Sequence, residues 1–407
     1  PWPLAVDVRG GATATSFPLV AVLPLSNLSG DPKRDYFGDG VTEDIIDALG
    51  RFSGVRVMSR NAVRGFKGKS PIAQAIRSEL GARYIVQGSV REGDGKLRVA
   101  IELSDAEKGV QLWSERYDGE GAQLFEIQDR IVKNIVGSLQ VKLTRLEQQR
   151  AFTKPTESLE AYDLVLRARS LIDLDERSAN REARSLLARA QKLAPDYAEV
   201  LTALGEAEWR RAAYGWIEDP PEGIRRAEAF GKRALASADP RAYPRAHSLL
   251  ATLYTHEGRP EDALVHTERA IAMNPSDASA LFRHGHALLT IGKVEEAIVA
   301  TETAMRFEPR PSPGVPTQLA TMYYTAGRYR DALAHADEAL ARFPNHVGLH
   351  AIRAAALGQV GNSDEARKAA DQVRRFNPTF QVEDAGTRFK NPEHADKLRE
   401  GLRKAGL

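Results

Sequence analysis

His284 and His286 form the nearest approach to a metal-ligand motif in this chain. On a helix, residues two apart project to different faces, so this pair cannot hold one ion together. Phe37-Gly-Asp-Gly-Val-Thr-Glu-Asp44 opens a helix and has the outline of an anion cradle. It lacks the Gly-Lys-Ser/Thr of a phosphate-binding loop, and Asp39, Glu43 and Asp44 would repel phosphate, so it reads as a capping loop. Arg60, Arg64, Lys67 and Lys69 make a small basic cluster, read as a solvated loop. Its functional version would be contact with an acidic partner or a membrane surface. Cysteine is absent, which removes disulfides, thiolate metal sites and a thiol nucleophile. Nucleophile elbow, HExxH, Walker loop and dinucleotide fingerprint are all missing. The expectation is therefore no catalytic residue, no metal and no cofactor.

What holds these residues in place is the larger question. The chain has 407 residues, 28% of them charged and 42% hydrophobic, with a formal net charge of +2. That is an ordinary globular composition of two or more domains. The near balance of charge gives no case for a nucleic-acid partner. No apolar run reaches the ~18 residues that cross a bilayer.

Gly258, Gly292, Gly327 and Gly361 recur every 34 or 35 residues in one local frame. Five residues later come Ala263, Ala297, Ala332 and Ala366, and seventeen later Pro275, Pro309, Pro344 and Pro378. Four before come Tyr254, Leu288, Tyr323 and Leu357. A period near 34 with a turn glycine and small residues predicts pairs of antiparallel helices. Weaker copies run from Leu159 to Pro195 and from Ala198 to Pro240, the second with an expanded turn at 214–221. About six helix pairs are expected over 157–378. Ala395, Leu398 and Leu402 predict a closing cap helix within 379–407.

Stacked pairs form a superhelix whose concave side is lined by first helices. First-helix positions off the packing stripe are the candidate partner-binding residues. They are Glu199, Thr202, Glu206, Trp209, Arg245, Thr252, His256, Phe282, His286, Thr321 and Tyr324. The expected ligand is a protein or peptide.

The first half reads as mixed α/β over 17–146, after a linker at 1–16. Strands are expected at Leu19–Leu25, Val55–Met58, Ala82–Arg91, Lys96–Leu103 and Val110–Tyr117. Helices are expected at Val41–Phe52, with Asp39 or Thr42 as cap, at Ile72–Leu80, and at Leu124–Leu143. The order is βαβαβββα.

Two resemblances attach to these residues. The spacing of small residue, Tyr, Gly, Ala and Pro resembles the tetratricopeptide repeat, although its usual early Trp is replaced by His247, Leu281, Pro316 and His350. Val20-Ala-Val-Leu-Pro-Leu-Ser-Asn-Leu-Ser-Gly-Asp-Pro32, Asp35-Tyr-Phe-Gly-Asp-Gly-Val-Thr-Glu-Asp-Ile45 and Leu112-Trp-Ser-Glu-Arg-Tyr-Asp118 resemble the TolB-like N-terminal domain family. So do Ser59-Arg-Asn61, Phe66-Lys-Gly68 and Ala82–Arg91. The fold class implied is a TolB-like α/β domain followed by an all-α tetratricopeptide-repeat superhelix. That pairing implies the regulatory region of a bacterial, rhizobial-type class III adenylate or guanylate cyclase, acting in cyclic nucleotide signalling. The alternative it implies is an envelope scaffold or a winged-helix regulator resembling CadC. Relatives of this kind carry a membrane span before the first strand. Pro1-Trp2-Pro3 and the polar stretch 9–16 would follow such a span, which implies a periplasmic location, with a cytoplasmic parent as the rival. A homodimer completes the partner expectations.

Overall fold

The computed structural model describes residues 17–69, 72–93, 95–141, 156, 158–237, 243–387 and 389–407. The linker at 1–16 and residues 142–143 of the third expected helix lie outside them. The chain separates into two compact units: Pro1–Leu253 with Glu268–Asp277, and Tyr254–Thr267 with Ala278–Leu407.

The first unit is built on a mixed sheet. Strand β1 (Leu19–Val22) lies between β3 (Arg56–Val57) and β4 (Tyr84–Gly93) and runs parallel to both. A two-residue strand, β2 (Ser26–Asn27), pairs with β4 in parallel. Then β4, β5 (Lys96–Asp105) and β6 (Val110–Glu120) form an antiparallel meander. Val20, Ala21 and Val22 are all buried, as an unbroken apolar run in a central parallel strand should be.

Helix α1 (Asp35–Gly50) starts six residues before the expected Val41. Asp39 and Thr42 are therefore interior residues and cap nothing; Asp31 instead caps a short 3-10 turn at Pro32–Arg34. The Gly-Asp-Gly stretch is helix, and so is neither a capping loop nor an anion cradle. Its glycines answer to tertiary contact. A Cβ on Gly38 would lie 2.7 Å from the Leu25 carbonyl oxygen, and one on Gly40 would lie 2.5 Å from the Leu166 side chain. The Thr42 hydroxyl donates to the Gly38 carbonyl and accepts from the Leu25 amide, tying helix to strand exit.

Two short helices follow, α2 (Arg60–Val63) and α3 (Ala73–Leu80). Gly81 ends the latter at φ +73° with its amide bonded to the Arg77 carbonyl. Helix α4 (Leu124–Ser138) buries Ile127, Ile131 and Ile135 in the core formed with α1 and the sheet.

Among the described residues, twelve helices then pair in sequence. The first unit holds α5 (Leu159–Ile172) with α6 (Arg177–Leu193), and α7 (Ala198–Ala213) with α8 (Pro220–Leu235). Next come α9 (Tyr243–His256) and α10 (Pro260–Met273). The second unit holds α11 (Ala278–Thr290) with α12 (Val294–Phe307), α13 (Gly314–Thr325) with α14 (Tyr329–Arg342), and α15 (Val347–Val360) with α16 (Ser363–Phe376).

The four spaced glycines have one geometry. Gly258, Gly292, Gly327 and Gly361 have φ between +71° and +89°, a region that disfavours any side chain. The amide of the following residue reaches back to the carbonyl of Tyr254, Leu288, Tyr323 or Leu357 at 2.8–3.0 Å. This is the six-residue bond of a Schellman turn, and it explains why glycine and the residue four before it recur together. Ala263, Ala297, Ala332 and Ala366 are at most 1% exposed, so the second helix of each pair approaches its neighbours with only a methyl between them.

A last helix, α17 (Pro392–Lys404), is capped by Asn391. It does not stack on α16 as the next first helix would. It packs mainly on the first helix α15, touches the first helix α13, and meets α16 near its C-terminal end. The end cap expected from sequence is therefore a helix laid across the first-helix face.

Candidate partner-binding groove

In the first unit the first-helix face is engaged by the α/β half. Tyr162 and Leu166 of α5 are buried in the same core as the sheet and α1. The Tyr162 hydroxyl donates to Asp44 at 2.5 Å and accepts from Gln128 at 3.2 Å. Burial first, and then the Asp44 charge, push this phenol well above its ordinary value. Tyr36 donates to Asp163 at 2.8 Å.

A charge network follows the same seam. Arg245 of α9 reaches Glu43 at 2.5 Å and Asp47 at 2.7 Å, both on α1. Arg60 bridges Glu43 at 3.1 Å and Asp173, just past α5, at 2.9 Å. Arg169 and Glu199 form a further buried pair. Burial alone would raise the Glu43 carboxyl, but the guanidiniums of Arg245, Arg60 and Arg169 overcome it and hold the group at about 2. Arg60 is thus part of an ion-pair seam rather than of a solvated loop. Lys67 pairs with Asp39 at 2.6 Å, while Arg64 is exposed.

In the second unit the same face is engaged by the C-terminal segment. The Lys390 amide donates to the Thr290 carbonyl at the end of α11. The Lys397 ammonium donates to the Thr325 carbonyl at the end of α13, at 3.3 Å. Lys404 donates to the Gln359 side chain of α15 at 3.0 Å. Carbonyls at helix C-termini lack intrahelical donors and attract cations, so this lysine-bearing segment suits the ends it passes. The Tyr324 hydroxyl donates to the Lys397 carbonyl at 2.7 Å. Gly401 and Gly358 allow the closest approach. A Cβ on Gly401 would sit 2.1 Å from the Tyr324 hydroxyl, and one on Gly358 would sit 2.6 Å from the Gly401 carbonyl oxygen.

The candidate residues are therefore placed differently from one another. Glu199, Thr202 and Tyr324 are buried, and Arg245 is committed to Glu43 and Asp47. The hydroxyls of Thr202, Thr252 and Thr321 donate to carbonyls four residues back on their own helices. Glu206, Trp209, Phe282 and His286 are half-buried, and His256 is exposed. What sequence reasoning missed is the intramolecular cover itself. Glu43 and Asp47, four apart on one helix face, and Gly358 after a run of alanines were its available signals.

His284 sits in the packing interior, its Nδ1 2.9 Å from the Thr267 hydroxyl, and burial pushes its imidazole down to about 4. Between pH ~6.5 and 4 the unfolded chain binds a proton that the folded one does not, so stability rises with pH across that window. At 1.36 kcal/mol per pH unit this amounts to about 3 kcal/mol. Urea titrations at pH 4.5 and 7.5 should show that slope flattened in His284→Leu; an unchanged slope would contradict it. Among the described residues no cluster of three metal-ligating side chains occurs, and no helix is long and apolar enough to cross a membrane.

Comparison with known proteins bears on the repeats and on the chain's context. Residues 258–316 and 317–379 match the tetratricopeptide repeat family model. Over 246 residues the chain is 35% identical to the Rhizobium meliloti (strain 1021) protein named "Putative adenylate cyclase 3". That match takes in 60% of this chain but 42% of the relative, so the chain spans less than half of the relative's length. Solved structures that resemble it include a thermophilic TPR protein of Thermus thermophilus, at 23% identity and TM-score 0.37, over 48% of this chain and 98% of that one. Another is PilF of Pseudomonas aeruginosa, at 19% identity and TM-score 0.42, over 52% of this chain and 93% of that one.

Proposed function

We propose that this chain is the non-catalytic regulatory and sensory region of a bacterial class III nucleotide cyclase. In this reading a TolB-like α/β domain is followed by tetratricopeptide repeats whose first-helix face receives a protein or peptide. One observation carries the reading. Helix α1, which packs on the sheet, is tied through Glu43, Asp47 and Arg60 to Arg245 of α9 and to Asp173 after α5. Whatever shifts those repeat helices must be felt at α1, which is the physical requirement for passing a bound state onward. The identity to the Rhizobium meliloti relative supports the cyclase context.

The decisive experiment is to read the reading frame upstream of Pro1 in the parent gene. A class III catalytic domain there supports the proposal; a winged helix there sinks it in favour of a CadC-like regulator, and neither leaves an envelope scaffold. The chain alone, given ATP or GTP with a divalent metal, is expected to turn over neither, and measured turnover would refute its non-catalytic role. We place it on the periplasmic side of a membrane-anchored parent, with the cytoplasm as the rival. Alkaline phosphatase fused after Leu407 of the parent is expected to be active; an inactive fusion places the region in the cytoplasm. A homodimer is expected in light scattering of the full parent, and a monomeric mass would exclude it.

A further inference from the structure

The expanded turn after α7 closes a recess that neither the repeats nor the α/β half requires. The recess holds about 140 Å³ and is lined by Arg177, Asn180, Arg181 and Arg184 of α6, Arg211 of α7, and Trp216 of the turn. Four guanidiniums line the recess, and one carboxylate answers two of them. Glu208 pairs with Arg184 at 2.9 Å and with Arg211 at 3.0 Å. Arg177 and Arg181 have no carboxylate partner among the described residues.

Several surface cations of the other helices are paired within their own helix turn. Arg225 and Arg226 pair with Glu222, Arg259 with Asp262, Arg328 with Asp331, Arg367 with Asp364, and Lys368 with Glu365. The α6 face is the opposite arrangement, since Arg177, Arg181 and Arg184 repeat at helical spacing and repel one another. Burial and the nearby Arg211 and Arg226 charges lower the Arg184 guanidinium despite Glu208. Arg184 and Arg211 share the Glu208 carboxylate, whereas Arg177 and Arg181 add like charge to this face with no carboxylate beside them among the described residues.

The turn shapes the recess further. Gly215 takes φ +66°, and the Trp216 amide bonds back to the Arg211 carbonyl at 2.9 Å. Tyr214 and Trp216 pack together with their rings tilted, centroids 5.0 Å apart. The indole N–H of Trp216 has no protein acceptor among the described residues. A second, shallower recess of about 440 Å³ shares Arg184 and has an apolar floor of Leu204, Ala229 and Phe230.

We propose that this recess binds a phosphomonoester whose body is apolar or aromatic. Guanidinium forks match phosphoryl oxygens in pairs, which a single Glu208 carboxylate cannot saturate. The phosphoryl group sits among Arg177, Arg181, Arg184 and Arg211, and the body lies against Trp216 or over the Leu204–Phe230 floor.

The test uses the full chain and phenyl phosphate, with inorganic phosphate, phenol and sulfate as comparisons, followed by calorimetry and tryptophan fluorescence. Saturable binding of phenyl phosphate is expected, weakened about tenfold or more in the Arg177→Gln, Arg181→Gln double variant. Both residues are exposed, so the thermal midpoint of that variant should stay put. The fluorescence response should vanish in Trp216→Phe. Vesicles carrying phosphatidate form a parallel arm: arginine-dependent binding to them identifies a lipid headgroup as the source, and binding only of free phenyl phosphate identifies a soluble one. Absence of saturable binding in both arms, equal binding by the double variant, or tighter binding of an unphosphorylated glutamate-rich peptide would each overturn the proposal.

Discussion

Arg245→Ala is expected to lower the unfolding free energy by about 3–5 kcal/mol, among the largest effects of any single change in this chain. The arginine has two carboxylates in reach, Glu43 at 2.5 Å and Asp47 at 2.7 Å, and all three side chains are largely shielded from water. Deleting the cation leaves Glu43 with only the flanking guanidiniums, and leaves Asp47 without this partner. A desolvated carboxylate without its counter-ion costs far more than an exposed pair returns, which is at most about 1 kcal/mol. Arg245→Lys should recover part of the loss, because it restores charge but not the two-pronged fork. The pH dependence follows from the sign of the shift. Glu43 is depressed to about 2, so its contribution is complete above the ordinary carboxylate range of ~4.3 and disappears as pH falls from there toward 2. In Arg245→Ala the Glu43 carboxyl should rise, which moves acid unfolding to higher pH. Urea denaturation at pH 7 and acid titration followed by circular dichroism check both parts. A loss below ~1 kcal/mol would show that water screens the seam.

The repeats could be read from sequence because their cause is local. A left-handed turn needs glycine, the turn bond fixes the residue four before it, and close helix approach needs alanine five after it. Each requirement acts within one pair and leaves a fixed spacing. The strands of the meander were legible for a similar reason, since alternation and the turn at 92–95 are short-range signals. The start of α1 was not legible. Gly38 and Gly40 look like loop residues until Leu25 and Leu166 are seen pressed against them, and Leu166 lies more than a hundred residues away.

The same limit governs the candidate groove. First-helix spacing picks out a face but is silent on what covers it. Arg245 has the exposure pattern of a binding residue in the sequence, and only the fold brings Glu43 beside it. Tyr324 likewise occupies a groove position, yet its hydroxyl is already bonded to the Lys397 carbonyl. A buried pair separated by about two hundred residues has no periodic trace. The two covers, α1 and α17, are thus tertiary facts about elements that sequence could identify singly.

Gly401→Leu is expected to release α17 from the first-helix face while the repeats beneath stay folded. The glycine faces Tyr324 and α15 so closely that an added Cβ would lie 2.1 Å from the tyrosine hydroxyl and 2.9 Å from the Ala355 carbonyl oxygen. Neither neighbour can retreat easily, because Tyr324 is 1% exposed and the Ala355 carbonyl belongs to the backbone of a buried stretch of helix. Inserting a larger side chain into a packed contact costs about 1–3 kcal/mol or more. Against that, α17 is held chiefly by Leu402, Ala395 and the following Ala405, and burying one leucine contributes about 1.5–3 kcal/mol. The two quantities are comparable, so detachment relieves the strain at little further cost. Hydrogen exchange should therefore lose protection over 392–404, but not in α13, α14 or α16. Gly361→Ala is the matched control: it strains a φ of +81° with open space around it, costs about 1–2 kcal/mol, and should leave α17 protected. If a partner uses the first-helix face, the Gly401→Leu chain should capture more of it from lysate than the unaltered chain. Unchanged protection over 392–404 in Gly401→Leu would mean that α17 accommodates the side chain in place, and the displaceable cover would have to be abandoned.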